Sequence, residues 1–205
     1  GRTLEELDFL DVPHCAHIAI KEAVFPSTKL GVSDVLLGPE MRSTGEVMGI
    51  DQSFGWAFAK SQAATGMALP LSGTALLSVK DGDKLAAVGL AKCLIPLGFS
   101  IKATKGTAAF LQEQGMIVET VNKVKEGRPH IGDLLKNNDL AMVINTVGDK
   151  ASQEDSAPIR TAAVFSGVPY FTTIQGAQAA VFGIEAMKKT AMTVKSLQEY
   201  HPSQS

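Results

Sequence analysis

After residue 73 the chain alternates short apolar segments with amphipathic ones, and this alternation limits the fold more than any other feature. Residues 75–79 have the composition of a buried strand, and the segment from Asp83 to about Ile95 has apolar residues at helical spacing. Further strands are predicted at 99–101, 117–121, 140–145 and 169–172, and further helices at 107–114, 131–136, 156–165 and 176–188. The pattern predicts an α/β fold with a parallel sheet covered by helices on both faces.

A connector without charged residues at 63–73 separates this region from the first part of the chain. We therefore expect one unit at 1–70 and an α/β domain at 71–205, with no strand of the first unit entering the sheet of the second. In the first unit, residues 51–64 predict a helix whose aromatic residues, Phe54, Trp56 and Phe58, are packing residues rather than a stacking platform. Arg42 and Glu46 have the spacing of an ion pair on a helix.

Composition excludes several classes of protein. The formal charge of −2 argues against general binding to nucleic acid or to anionic membranes, although residues 71–205 carry fourteen Lys and Arg against twelve Asp and Glu. Cys15 and Cys93 have no partners at metal-site or disulfide spacing, which indicates a reducing compartment. The chain begins with Gly1, so we expect a fragment of a longer cytoplasmic protein, or of an organellar one whose transit peptide has been removed.

Polar and cationic residues follow the predicted strands, at the sheet edge where α/β proteins bind ligands. Thr104 and Thr107 bracket a glycine at the start of a helix, where free N–H groups favour an anion. Lys84 and Lys123 supply positive charge, and Asn145 follows the most apolar strand. Each residue has a structural alternative, such as an N-cap for Thr104 or a surface position for Lys84. Their common location favours a phosphate site.

Four segments resemble the carboxyl-terminal end of the carbamoyl phosphate synthetase large subunit. They are LGPEMRSTGEVMG at 37–49, ATKGTA at 103–108, NKV with EGRPH across 122–130, and INT at 144–146. The first is similar to a signature near the end of the second ATP-grasp domain, and the others are similar to the domain that follows it. The resemblance implies a methylglyoxal-synthase-like fold with a five-stranded parallel sheet, preceded by a small α+β remnant of the ATP-grasp domain.

The resemblance also implies a function. The last domain of the family's bacterial members binds nucleotide effectors, UMP or IMP, and the matching positions here are Lys84, Thr104, Thr107, Lys123, Asn145 and Thr146. The full enzyme makes carbamoyl phosphate from bicarbonate, glutamine-derived ammonia and two ATP, for pyrimidine and arginine synthesis. It uses ATP with Mg²⁺ or Mn²⁺ and K⁺, works with a glutaminase small subunit and self-associates. The fragment itself is expected to be non-catalytic and to hold no cofactor or metal.

The sequence departs from the family pattern at two places. Val147 and Asp149 replace a hydroxyl and a positive charge beside Asn145, which affects nucleotide affinity or choice. Glu22, Tyr170 and Thr172 match an ornithine-binding region, but Phe171 replaces the carboxylate between the last two. An ornithine response is therefore in doubt.

Two alternatives stay open. A methylglyoxal-synthase-like lyase would bind a phosphate ester at the same edge, but it needs an aspartate base in a Gly-Gly-Asp context where this chain has Glu126-Gly127-Arg128. An oligomerisation scaffold would carry an inactive pocket. Titration with UMP and IMP distinguishes these alternatives from an effector-binding domain.

Overall fold

The computed structural model describes residues 1–8, 10, 15–24, 45–148 and 150–200, with the side chains of 150–152 left out. A small unit comes first, with antiparallel strands β1 (Ile18–Val24) and β2 (Gly45–Asp51) and helix α1 (Phe54–Ala64) packed on them. The strands that follow are β3 (Gly73–Ser78), β4 (Phe99–Thr104), β5 (Glu119–Val121), β6 (Met142–Asn145) and β7 (Tyr170–Phe171). The helices that follow are α2 (Lys84–Leu94), α3 (Lys105–Glu113), α4 (Ile131–Lys136), α5 (Lys150–Phe165), α6 (Ile174–Lys189) and α7 (Leu197–Tyr200).

Strands β3 to β7 form one parallel sheet in the order β5-β4-β3-β6-β7. The sheet is covered on both faces. Leu77 and Ile144 pack in a core with residues of α2, α3 and α6, whereas Leu76 and Val143 pack with residues of α4 and α5. The predicted five-stranded parallel sheet between helices is confirmed.

Helix α1 packs closely on α6 as well as on β2. Glycines allow this approach: a Cβ at Gly55 would meet the carbonyl of Phe182, and one at Gly49 would meet the backbone of α1. A Cβ at Gly183 would lie 2.6 Å from Leu69 Cδ1. In the described part of the chain, no strand before residue 71 joins the five-stranded sheet. The boundary at residue 70 stays a prediction, because α1 shares its packing with α6.

Two predicted helix starts are wrong. Asp51 ends β2, and α1 begins at Phe54 because the Ser53 hydroxyl accepts a hydrogen bond from the Trp56 N–H, as an N-cap does. Helix α5 begins at Lys150 rather than at 156, and it contains Pro158. The polar run at 150–155 lacks the apolar period that would have extended the prediction.

Glu46 does not lie on a helix as expected, and its pairing with Arg42 stays a prediction because Arg42 is outside the described residues. Glu46 lies on β2, and its carboxylate is 2.9 Å from Lys21 Nζ on β1. Residues 25–44, with Arg42 and most of the ATP-grasp-like signature, lie outside the described residues. The aromatic residues of α1 make packing contacts to different extents: Phe58 is buried, the Trp56 indole N–H donates to Thr190 Oγ1 at 2.7 Å, and Phe54, although 40% exposed, contacts the Phe182 ring.

The end of the chain returns to the small unit. The Tyr200 hydroxyl on α7 donates to the Ile50 carbonyl at 3.1 Å, and its ring lies 5.4 Å from the His17 ring. None of the helices in the described residues is long and apolar enough to cross a membrane.

Candidate functional site

The carboxyl ends of β3, β4, β5 and β6 border one cleft of about 760 Å³. Its lining comes from the loops after these four strands and from the early turns of α5. All six residues predicted to hold an effector line this cleft: Lys84, Thr104, Thr107, Lys123, Asn145 and Thr146. They are far apart in sequence, and the sheet topology brings them together.

Buried hydroxyl groups form the floor of the cleft. Thr107 Oγ1 accepts a hydrogen bond from the Val79 N–H at 3.1 Å, and Thr104 Oγ1 donates to Ser78 Oγ at 3.4 Å. Thr104 and Thr107 are only 4% and 2% exposed. These contacts hold the start of α3 against the end of β3.

A second set of contacts joins the end of β6 to the end of β3 and to β7. The Thr146 N–H donates to the Ser78 carbonyl, and Thr146 Oγ1 accepts from the Lys80 N–H at 3.1 Å. Asn145 Nδ2 donates to the Tyr170 hydroxyl at 2.6 Å. Thr146 and Asn145 are buried, and these hydrogen bonds hold their side chains in place.

Thr104 occupies the N-cap position of α3, but its side chain makes no capping hydrogen bond. The alternative that Thr104 is simply a stabilising N-cap is therefore wrong. The first N–H groups of a helix have no intrahelical acceptor, and at α3 they border the cleft. Lys84 Nζ is close by, since a Cβ at Gly106 would lie 3.6 Å from it. The start of α3 and the Lys84 ammonium group together favour an anion.

The charged side chains of the cleft are mostly cations. Five lysines and three carboxylates line it, which gives a net charge of +2 over the described lining residues. The lysines are Lys80, Lys84, Lys105, Lys123 and Lys125, and the carboxylates are Asp81, Glu126 and Asp155.

Several of these charges form ion pairs. Lys84 Nζ is 2.8 Å from Asp81 Oδ1, and Lys105 Nζ is 3.6 Å from Glu126 Oε2. Lys125 pairs with Asp155 across the cleft, from the turn after β5 to α5. Lys123 has no carboxylate partner among the described residues. Because one or both partners of each pair are well exposed, a stronger anion can displace the carboxylates.

Contacts within the cleft shift the pKa of Glu126, Asp81 and Lys125. The Lys123 N–H donates to Glu126 at 3.0 Å and holds the pKa of Glu126 below its ordinary value, against the opposing effect of burial and with help from Lys105. Lys84 lowers the pKa of Asp81 by hydrogen bonding, and Asp155 raises the pKa of Lys125 in the same way. A carboxylate with a lowered pKa is a weaker general base than one with the ordinary value.

Sequence reasoning did not select several residues of the cleft. Three lysines lie in segments that the sequence predicted to border the site: Lys80, Lys105 and Lys125. Their spacing did not distinguish them from lysines elsewhere on the surface. Asp155 was missed because the predicted helix began one residue after it, at 156. A polar run directly after the fourth strand of the sheet was the signal that could have found it.

The predicted ornithine-region residues do not form one cluster in the described contacts. Glu22 lies on β1, where its Oε1 accepts from Gln62 Nε2 at 2.5 Å. Tyr170 lies on β7 beside Asn145, and Thr172 follows that strand. Of these three residues, Tyr170 contacts the cleft, through its hydrogen bond with Asn145.

The profile of a protein family, the MGS-like domain, matches residues 86–172. These residues belong to the MGS-like domain family. The match includes most of the sheet and five of the six predicted effector residues; Lys84 lies just before it. The five are Thr104, Thr107, Lys123, Asn145 and Thr146.

Nearly the whole chain, beyond the MGS-like domain, is similar to carbamoyl phosphate synthase large chains. The identity is 48% over 203 residues with the protein of Nostoc sp. (99% of this chain, 18% of that protein). It is 50% over 205 residues in Mesorhizobium japonicum (98% and 18%) and 44% over 202 residues in Methanosarcina acetivorans (98% and 19%). The predicted resemblance is confirmed, and the chain spans less than a fifth of the length of these relatives.

A crystal structure of methylglyoxal synthase from Elizabethkingia anophelis NUHP1 is also similar to part of the chain. The TM-score is 0.45 at 18% identity, over 65% of this chain and 93% of that chain. At this score the similarity adds nothing to the family match.

Proposed function

We propose that this chain is a regulatory part of a carbamoyl phosphate synthase large chain, and that the cleft of its MGS-like domain binds a nucleoside monophosphate of the UMP or IMP class. One observation carries the proposal: six residues selected from the sequence line a single cleft with a net charge of +2. The cleft volume of about 760 Å³ lies within the range of small-molecule sites.

The parts of such a ligand have separate places in the cleft. The phosphate lies at the start of α3, where Lys84, Lys123 and free N–H groups provide charge-assisted hydrogen bonds. The ribose lies toward Asn145 and Thr146, whose polar atoms accept and donate hydrogen bonds. The phosphate takes the place of Asp81 beside Lys84.

In the complete enzyme, this part would control a cytoplasmic ATP-dependent ligase that makes carbamoyl phosphate from bicarbonate, glutamine-derived ammonia and two ATP. The small unit of β1, β2 and α1 would be the end of an ATP-grasp domain. The partners would be the rest of the large chain, the glutaminase subunit and further copies of the enzyme. The ATP and metal ions would be held outside the 205 residues.

Isothermal titration of the 205-residue chain with UMP and with IMP tests the proposal. At least one nucleotide should bind, and Lys123→Ala should weaken binding by about 1.5–3 kcal/mol because a charge-assisted contact is lost. Lys92→Ala is the matched control: Lys92 is exposed on α2 and does not line the cleft. Unchanged binding by Lys123→Ala would place the nucleotide elsewhere, and no binding by the wild type would favour the scaffold alternative.

Turnover of dihydroxyacetone phosphate tests the lyase alternative. We expect no methylglyoxal above a buffer control, because Arg128 stands at the position of the required aspartate base and the pKa of the neighbouring carboxylate, Glu126, is lowered. We also expect no ATP hydrolysis by this chain. Measurable turnover of dihydroxyacetone phosphate would replace the regulatory proposal with a catalytic one.

A further inference from the structure

Tyr170 lies behind the cleft and contacts it through Asn145. Tyr170 on β7 pairs with Val143 on β6, and Asn145 is two residues further along β6. Since alternate residues of a strand point to the same face, Tyr170 and Asn145 share one face of the sheet. The Tyr170 ring packs against the apolar cluster on that face, so its position is set by the core.

The hydrogen bond between Tyr170 and Asn145 sets the orientation of the Asn145 side-chain amide, which lines the cleft. An asparagine amide has two N–H donors and one oxygen acceptor. Asn145 Nδ2 donates to the Tyr170 hydroxyl at 2.6 Å, which fixes the rotation of the amide. Asn145 is 3% exposed, and none of the described residues bonds to its Oδ1. The amide therefore has its acceptor available for a ligand.

The chemistry of that acceptor selects between ligands. A phosphate dianion offers acceptors only, whereas a sugar hydroxyl can donate to Asn145 Oδ1. We infer that Tyr170 is a positioning residue: by holding the Asn145 amide, it gives the cleft a preference for phosphate esters of hydroxyl-bearing sugars over inorganic phosphate. This inference rests on the proposed function, and it assigns to Tyr170 a role in the nucleotide cleft.

The two tyrosines of the chain provide a matched test. Wild type, Tyr170→Phe and Tyr200→Phe are titrated with UMP and with inorganic phosphate. Tyr170→Phe should bind UMP roughly 3- to 10-fold more weakly, as expected for one lost hydrogen bond, and should bind inorganic phosphate as the wild type does. Tyr200→Phe removes a hydroxyl that donates to the Ile50 carbonyl of the small unit, so it should leave both affinities unchanged.

Two further titrations separate positioning from a general structural effect. The loss caused by Tyr170→Phe should disappear in an Asn145→Ala background, because the two changes act on one contact. It should also disappear for 2′,3′-dideoxyuridine 5′-monophosphate, which lacks the ribose hydroxyls. Inorganic phosphate binding reports in each variant that the cleft is folded.

The outcomes distinguish the two proposals. If the wild type binds neither UMP nor phosphate, the proposed function fails and the role of Tyr170 fails with it. If the wild type binds UMP but Tyr170→Phe binds it equally well, or loses UMP and phosphate in equal proportion, only the positioning role is overturned.

Discussion

Two ion pairs join a lysine ammonium group to an aspartate carboxylate in different surroundings. One is Asp51–Lys60 in the small unit, and the other is Lys125–Asp155 in the cleft. Asp51 and Lys60 join β2 to α1 with an N–O distance of 2.7 Å, and their side chains are 12% and 15% exposed. Lys125 and Asp155 are 78% and 51% exposed. Breaking a buried pair leaves an uncompensated charge, whereas water solvates the partners of an exposed pair.

This difference assigns different roles to the two regions. Lys60 also donates to the Ile50 carbonyl, so the buried pair fixes the small unit at the end of β2. The pairs of the cleft neutralise lysines until an anion replaces the carboxylates. The Asp51–Lys60 pair thus holds α1 to β2, while the ion pairs of the cleft are exchangeable.

Asp51→Ala is expected to have the largest effect. It leaves the Lys60 ammonium group without a carboxylate in a nearly buried position, so the free energy of unfolding should fall by about 3 kcal/mol. Urea denaturation measures this loss. Asp155→Ala is the control and should not change the midpoint measurably, so equal losses in the two variants would abolish the distinction between the regions.

Thr107→Val tests how much a buried hydroxyl at the floor of the cleft contributes to stability. The Val79 N–H loses its acceptor, and the free energy of unfolding should fall by about 1–2 kcal/mol, with weaker UMP binding as a consequence. Thr74→Val makes the same change at the other end of β3, where the hydroxyl contacts Ser100 in an exposed position. A melting temperature for Thr107→Val equal to that of Thr74→Val would show that the floor of the cleft does not depend on this hydroxyl.

Acid should weaken the small unit through Asp51. Burial raises the pKa of Asp51, but the Lys60 ammonium group and the Ser53 N–H outweigh it and hold the pKa below its ordinary value. A pKa lower in the folded state than in the unfolded state stabilises the fold above the unfolded value, about 3.9, and this stabilisation is lost as the pH falls through the folded value. Urea titrations from pH 6 to pH 3 should show a steeper loss for the wild type than for Asp51→Asn. Parallel curves would contradict this assignment.

Asp155→Asn should have the smallest effect, and in the opposite direction. It frees Lys125 and removes a negative charge from the cleft, so UMP and inorganic phosphate should bind about two- to fivefold more tightly at low salt. Glu154→Asn removes a neighbouring charge from the same helix as a control, because Glu154 does not line the cleft. Weaker binding by Asp155→Asn would mean that Asp155 itself contacts the ligand.

The sequence was sufficient to predict the succession of strands and helices along the MGS-like domain. It also predicted which side chains lie at the carboxyl ends of the strands. Strand cores such as 75–79 and 140–145 are apolar and bounded by polar loops, and a parallel sheet places the ends of its strands together. The family resemblance added the identities of the effector residues. Their convergence on one cleft followed from the topology.

Other features could not be predicted, because they depend on distances between separate elements. Asp51 reads as the start of a helix in sequence, and only its strand pairing and its contact with Lys60 show otherwise. Which lysine pairs with which carboxylate depends on loop geometry, as for Lys125 and Asp155. Tyr170 was assigned to an ornithine region by family resemblance, and its bond to Asn145 is visible only in three dimensions.

The glycine contacts between α1, β2 and α6 have a consequence for protein engineering. At Gly49 and Gly55 a Cβ would overlap main-chain carbonyl groups, which cannot turn away as a flexible side chain does. A library randomised at these two positions should therefore return almost only glycine among its folded members. Because Gly55 faces α6, a domain exchange that brings a foreign MGS-like domain to this amino-terminal unit needs a matching surface on the last helix, in addition to a suitable linker.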